Sequence, residues 1–391
     1  MKLSLTSLLC LCLVLVLIPG WAAGLGLPED LSIIDAQVDS YFKKSSTVGG
    51  SLVIAKNGEI VYQRDFGFQN KNQKSPVTED TYFRIASITK MVSAIGIMQL
   101  TEQGILDLDQ DISKYFGYEI VNPNYPKIPI TLRQCMSHTT SLSQNGGYSF
   151  ESRTIHDMLA KEVRHFSNFT GEKPGDHYSY SNFGAGLMGS IMEAVTGISI
   201  NQYMTENVFK PLAIDAAYSA GFLSQPECIA SQYENGDIYK SASKYLEEAY
   251  EDFADPERHY RITVGNIFIR SKDLAKIASV LCGDGSLGGV QLLTKESVEM
   301  MRTDQRTFNA SVTGESPYGL CVNLMGNMLK SRMIYGHQGM SNGSMCNVFY
   351  DPETQFVLVM LTNGCSQVRQ DRIGVLPRRL FTYTYPLFTQ E

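Results

Sequence analysis

The sequence predicts an α+β fold: an antiparallel sheet drawn from both ends of the chain, flanked by helices, with a helical lobe inserted between its halves. Three observations carry that reading. Short β-rich runs at 51–55 and 60–66 flank Asn57-Gly58, a strong hairpin signal, and runs at 344–350 and 356–362 are joined through Asp351-Pro352-Glu353-Thr354. Residues 87–103 form the most apolar long helical stretch, with Ile88, Met91, Val92, Ile95, Ile97, Met98 and Leu100 around most of its circumference. Such a helix is expected to be buried. The middle, about 120 to 265, is richer in Tyr, Asn, Ser and Gly and carries helical patterns at 184–195 and 201–209.

The other elements follow in order. Ile33, Ile34, Val38 and Phe42 punctuate a charged stretch at 30–44, an amphipathic helix. Gly104 closes the buried helix. Residues 247–261 are heavily charged and read as a solvated face. A short strand is expected at 333–336. No internal repeat or low-complexity segment interrupts the chain.

Composition narrows the function. The chain has 391 residues, 43% of them hydrophobic, and 33 Lys+Arg against 40 Asp+Glu give a net charge of −7. That length allows a full core, and the composition excludes a disordered, collagenous or multi-span membrane protein. With no basic excess, nucleic acid is not an expected partner.

Met1 and Lys2 precede an uninterrupted apolar run over 8–18, broken by Pro19-Gly20 and followed by Ala22 and Ala23. This matches a secretory signal peptide over 1–23 and implies a secreted, periplasmic or otherwise extracytoplasmic protein. The run is shorter than the ~20 residues a membrane span needs, so no stable span is expected after cleavage. Cys135, Cys228, Cys282, Cys321, Cys346 and Cys365 remain beyond it, without a CxxC. Zinc is not indicated. Disulfides and buried thiols are both open readings. Asn168, Asn309 and Asn342 fit the N-glycosylation pattern and are read as chance matches.

Three separated stretches carry chemistry. Ser87-Ile88-Thr89-Lys90 opens the buried helix, placing Ser87 and Lys90 one turn apart on one face. A serine hydroxyl becomes nucleophilic when a neighbour takes its proton, and a lysine can do so if burial lowers its pKa. Free N–H groups at a helix start can stabilise an oxyanion. Ser40…Lys43 and Ser241…Lys244 repeat the spacing, but neither starts a buried helix.

Tyr180-Ser181-Asn182, before a Gly-rich helix start, adds a phenol able to relay a proton and an amide able to hold a lysine and a substrate carbonyl. Tyr233-Glu234-Asn235 shows the same pattern but runs into Gly236-Asp237, an exposed turn. His337-Gln338-Gly339 lies between short strands. A protonated His337 would depress the pKa of Lys90 and Tyr180 and attract an anion, and Gly339 would let a substrate lie against the strand.

In this order and context the chain resembles the serine β-lactamase and penicillin-binding superfamily, specifically its class C-like branch. The branch includes β-lactamases, DD-carboxypeptidases, D-aminopeptidases and esterases. Phe83–Lys90 resembles the nucleophile segment, Gly104-Ile105-Leu106-Asp107-Leu108-Asp109 the turn after its helix, and His138-Thr139-Thr140-Ser141-Leu142 the "HTSGL" loop with Ser141 in place of glycine. Pro174-Gly175, Gly186-Leu187, Gly336–Gly339 and Leu361-Thr362-Asn363-Gly364 match further. Ser143-Gln144-Asn145 resembles the second motif of the other branch, but the context of Tyr180 fits better.

The resemblance implies a β-lactamase-like catalytic domain over 24–391, with a sheet lobe at about 24–115 and 270–391 and a helical lobe at about 116–269. It implies Ser87 as acyl acceptor, Lys90 and Tyr180 as activators, and Asn182 orienting Lys90 and the substrate amide. His337 would supply polarity beside the leaving or carboxylate group, and the N–H groups of Ser87 and Met340 would form the oxyanion hole. The substrate would align along His337–Met340, with Gly339 making room and Asn342 a weaker lining residue. No metal or cofactor is implied, and the partner is a small-molecule or peptide substrate of a chain whose oligomeric state the sequence leaves open. The expected activity is a secreted serine hydrolase on amide or ester bonds, of D-amino-acid peptidase or DD-carboxypeptidase type. A carboxylesterase, a class C-like β-lactamase and a catalytically silent binding or sensor domain are the alternatives. Histidine in place of lysine at position 337 argues against efficient β-lactam hydrolysis.

Overall fold

A computed structural model describes residues 31–144, 153–163, 166–305 and 317–390. The signal segment 1–23, Asn145 and Asn309 lie outside the described residues. The elements that build the site are α1 (Leu31–Lys44), β1 (Gly49–Lys56), β2 (Glu59–Asn70), β3 (Tyr82–Arg84), α2 (Ile88–Glu102), α3 (Asn182–Thr196), β4 (Phe268–Arg270), α4 (Ser271–Cys282), β5 (Ile334–Ser341), β6 (Ser344–Asp351), β7 (Phe356–Thr362) and α5 (Val375–Thr389).

Seven strands form one antiparallel sheet in the order Asn323–Met325, β5, β6, β7, β1, β2, Ser75–Pro76. The two ends of the chain meet at its centre, where β1 pairs with β7 and Val53 faces Val359. Side chains alternate across each strand. Leu52 and Ile54 of β1, with Leu358 and Met360 of β7, join a core layer with Val38 and Phe42 of α1 and Phe381 of α5. Val53, Val357 and Val359 point the other way, into the larger core that contains α2 and α4. Both faces are covered, which is why these strands read as continuous apolar runs.

Helix α2 is buried on nearly all sides, packed between β5 and β6 of the sheet and α3 of the helical lobe. Its N-terminus therefore lies between the sheet and α3. Among the described residues no single helix is long and apolar enough to cross a membrane.

Several expectations change. Strand β5 runs to Ser341, so His337–Met340 lies within a strand rather than between two. The 201–209 helix divides into Ile200–Met204 and a π turn, Thr205–Phe209. Helix α5 was not legible because Pro377, Pro386 and a Tyr/Thr-rich composition mask its period. Part of 247–261 is no solvated face. His259 contacts the buried Glu193 carboxylate of α3 at 2.9 Å, Asp252 accepts from Asn201 at 3.0 Å, and Tyr260 is buried. These charges answer buried partners that periodicity cannot reveal. Tyr233 is also buried, although the Asn235-Gly236 turn beside it is exposed and left-handed. The six cysteines beyond the signal segment are free thiols, and Asn168 is buried with its amide on the Met158 carbonyl.

Leu358 is fully buried in the layer under α1 and α5. Leu358→Ala is expected to lower unfolding free energy by about 2–5 kcal/mol, read by urea denaturation. An unchanged midpoint would contradict this packing.

Candidate active site

Ser87 caps α2, half-buried, at the mouth between the lobes. The preceding Ala86 is left-handed at φ 47°, a strained conformation for a residue with a side chain. The turn is held from both sides. Ile85 N–H donates to Ile267 O at 3.0 Å, and Ile267 N–H returns to Thr89 Oγ1 at 3.2 Å. A Cβ at Gly339 would stand 2.2 Å from the Ile85 carbonyl oxygen, so only glycine lets β5 come this close. That approach brings Met340 beside the nucleophile turn.

Lys90 is fully buried one turn into α2. Its Nζ lies 3.1 Å from Ser87 Oγ, donates to Val264 O at 2.7 Å, and sits 5.4 Å from the centre of the Tyr180 ring. Burial pulls its pKa down to about 7; Cys321 opposes the shift and the Arg84 guanidinium adds to it. Above that pH the amine is neutral and carries a lone pair within reach of the Ser87 proton.

Ser181 caps α3, its hydroxyl accepting from Gly184 N–H at 3.1 Å, and this cap delivers Tyr180 and Asn182 to the site. The Tyr180 ring, 38% exposed, lies against His138 with centroids 4.1 Å apart. Asn182 does not hold Lys90, as expected of it; the Val264 carbonyl does. Asn182 Oδ1 is instead a buried acceptor with no hydrogen-bond partner among the described residues.

Behind these groups runs a chain of buried neutral donors. Ser181 N–H donates to His138 Nδ1 at 3.3 Å, so the His138 proton sits on Nε2, 3.2 Å from Tyr318 Oη. Tyr318 O–H then donates to His337 Nε2 at 3.0 Å, and His337 Nδ1–H donates to Gln338 O at 2.7 Å. Burial, reinforced by Lys90, holds His337 at about 3 and His138 well below its ordinary range, while burial pushes the Tyr318 phenol up. The expected cationic role of His337 is thereby corrected. Its ring is buried and neutral, and both nitrogens are used inside the protein. In this setting it links Tyr318 to β5 and presents no cation.

A family model described as Beta-lactamase matches residues 34–374, which include all of this machinery. The chain belongs to the beta-lactamase family. Protein flp of Staphylococcus aureus (strain MRSA252) is 28% identical over 187 residues, 46% of this chain and 36% of that protein, so the match spans about a third of the relative's length. Among solved structures, the octameric penicillin-binding protein homologue from Pyrococcus abyssi has a TM-score of 0.70 at 22% identity, covering 92% of this chain and 77% of that one. The D-amino acid amidase from Ochrobactrum anthropi SV3, complexed with L-phenylalanine amide, has a TM-score of 0.68 at 21% identity, covering 90% and 98%.

Within this beta-lactamase-family chain the decoy motifs separate cleanly. Ser241 caps a short exposed helix, where Lys244 pairs with Glu247 and Glu248. Lys43, three residues after Ser40, is exposed on α1. Ser143 N–H bonds Asn168 O, whereas Tyr180 is the residue whose ring faces Lys90. Ser141, standing where the loop motif has glycine, takes the left-handed conformation at φ 60°, its hydroxyl accepting from Asn122 at 2.9 Å. Among the described residues no group of three or more His, Cys, Asp or Glu is placed to hold a metal ion.

Sequence reasoning missed Val264 and Tyr318. A backbone carbonyl leaves no mark in a sequence, and Tyr318 is one of 21 tyrosines without a motif of its own in the reading above. Tyr318→Phe leaves a buried N–H on His138 and a buried lone pair on His337 unpaired. It is expected to cost about 1–3 kcal/mol, read by urea unfolding. Wild-type stability in that variant would contradict the chain of hydrogen bonds.

Proposed function

We propose that this chain is a serine hydrolase that cleaves amide or ester bonds through an acyl intermediate on Ser87, and that 1–23 exports it. The observation that carries the reading is a lysine amine held near neutrality by burial, 3.1 Å from the serine oxygen. Neutral Lys90 takes the hydroxyl proton as Ser87 Oγ bonds to the substrate carbonyl carbon. The carbonyl electrons move to oxygen, which the Ser87 and Met340 N–H groups receive. The tetrahedral centre then expels the amine or alcohol, which takes a proton relayed from Lys90 through the Tyr180 phenol. A water molecule, deprotonated by the same pair, releases the acid and restores Ser87.

D-amino-acid peptides or amides are the proposed substrate class. The likeness to a D-amino acid amidase supports that reading. β-Lactams are disfavoured, since neutral His337 offers no cation to their carboxylate. A silent binding domain would have no need to bury a lysine beside a serine with only neutral acceptors around it.

The test is adduct mapping. A fluorophosphonate is expected to label Ser87, and Ser87→Ala to abolish labelling and lower hydrolysis by on the order of 10³-fold or more. D-alanine p-nitroanilide is expected to turn over at least about tenfold faster than its L form, a gap that corresponds to about 1.4 kcal/mol in the barrier. Labelling elsewhere, or full activity in Ser87→Ala, would contradict the proposal.

A further inference from the structure

A groove of about 860 Å³ opens beside the nucleophile. Its lining includes Val264, whose carbonyl holds Lys90, and Gly265, which lies against Ala86, so it shares a wall with the Ser87 turn. Although the chain as a whole is acidic, Arg84, Lys240, Arg258 and Arg261 line the groove against the single carboxylate of Glu248. Lys240 is paired with Glu248, and Arg258 with Asp255. Arg84 differs. Its Nη1 donates to Ser341 Oγ at 3.3 Å and its Nη2 to Asn266 Oδ1 at 3.0 Å, both neutral acceptors. A guanidinium has five donors in a planar fork. Among the described residues two are engaged, none with a carboxylate, and these two bonds fix the fork in place before any ligand arrives.

The side of the scissile bond follows from β5. Tyr180, the proton relay to the leaving group, packs on His138, which is tied through Tyr318 to His337 at one end of the His337–Ser341 segment. Arg84 is bonded to Ser341 at the other end. At about 3.4 Å per residue these ends are roughly 14 Å apart. A substrate lying along β5 with its leaving group toward His337 sends its acyl portion into the groove, where Tyr245 and Tyr260 also stand.

We propose that Arg84 is a specificity-determining residue that binds a carboxylate on the acyl portion of the substrate. The proposal rests on the acyl-serine reading above and names what it acts on: N-acylated substrates whose acyl arm ends in an acid. Planar bidentate pairing suits arginine and carboxylate.

The test uses N-glutaryl-D-alanine p-nitroanilide and its glutaryl methyl ester, which differ by one charge. Calorimetric binding to Ser87→Ala protein is expected to favour the acid by about tenfold to a hundredfold, the range of a charge-assisted pair. Adding Arg84→Gln erases that preference, and Arg84→Lys, which keeps the charge without the fork, retains part of it. Binding of the methyl ester reports that each variant is folded. Equal affinities for the two compounds, binding of neither, or a preference untouched by Arg84→Gln would overturn the proposal. Fluorophosphonate labelling of wild-type Ser87 is read in parallel. An Arg84-dependent preference with no labelling would sink the acyl-serine reading and leave the carboxylate subsite standing.

Discussion

The site depends on one buried amine. Among the described residues Lys90 has no carboxylate partner; its polar contacts are a hydroxyl and a peptide carbonyl. Moving an ammonium into such surroundings costs more than moving the neutral amine, and a pKa near 7 in place of 10.5 corresponds to about 5 kcal/mol in favour of the neutral form. The fold supplies this environment by wrapping α2 in apolar side chains on nearly every side. A shallower helix would leave Lys90 charged.

The rest of the site keeps that environment from being undone. A carboxylate near Lys90 would pair with it and raise its pKa. The groups around it are tyrosines, histidines and backbone instead. His138, Tyr318 and His337 satisfy one another in a directed chain, so three polar side chains are buried without an ion among them. The same chain ties the loop at 138, the α3 cap at 181 and strand β5 together. Tyr180 and strand β5 are thereby held to common coordinates, although they come from distant parts of the sequence.

Much of this was legible in the sequence, for identifiable reasons. Strands β1 and β7 announced themselves because apolar runs bounded by turn residues leave few alternatives, and α2 because its apolar positions encircle it. That Ser87, Lys90 and Tyr180 come together was expected because the proposed chemistry demands particular side chains in particular settings. What stayed hidden was relational. His337 looks the same in a sequence whether it is a surface cation or a buried neutral link; the difference lies in Tyr318 and in burial. Val264 acts through a carbonyl common to every residue. The charged stretch at 247–261 hid its role because Glu193, its buried partner, lies about sixty residues away.

The most direct measurement is the titration of Lys90 itself. With lysines labelled at Cε and the Lys90 resonance assigned by its loss in Lys90→Met, NMR shifts are followed from pH 5 to 11. The account predicts a midpoint near 7, with the amine charged below it and neutral above, and fluorophosphonate labelling of Ser87 rising with pH through the same window. A midpoint close to the ordinary lysine value of 10.5 would contradict it, because Ser87 would then have no base at physiological pH.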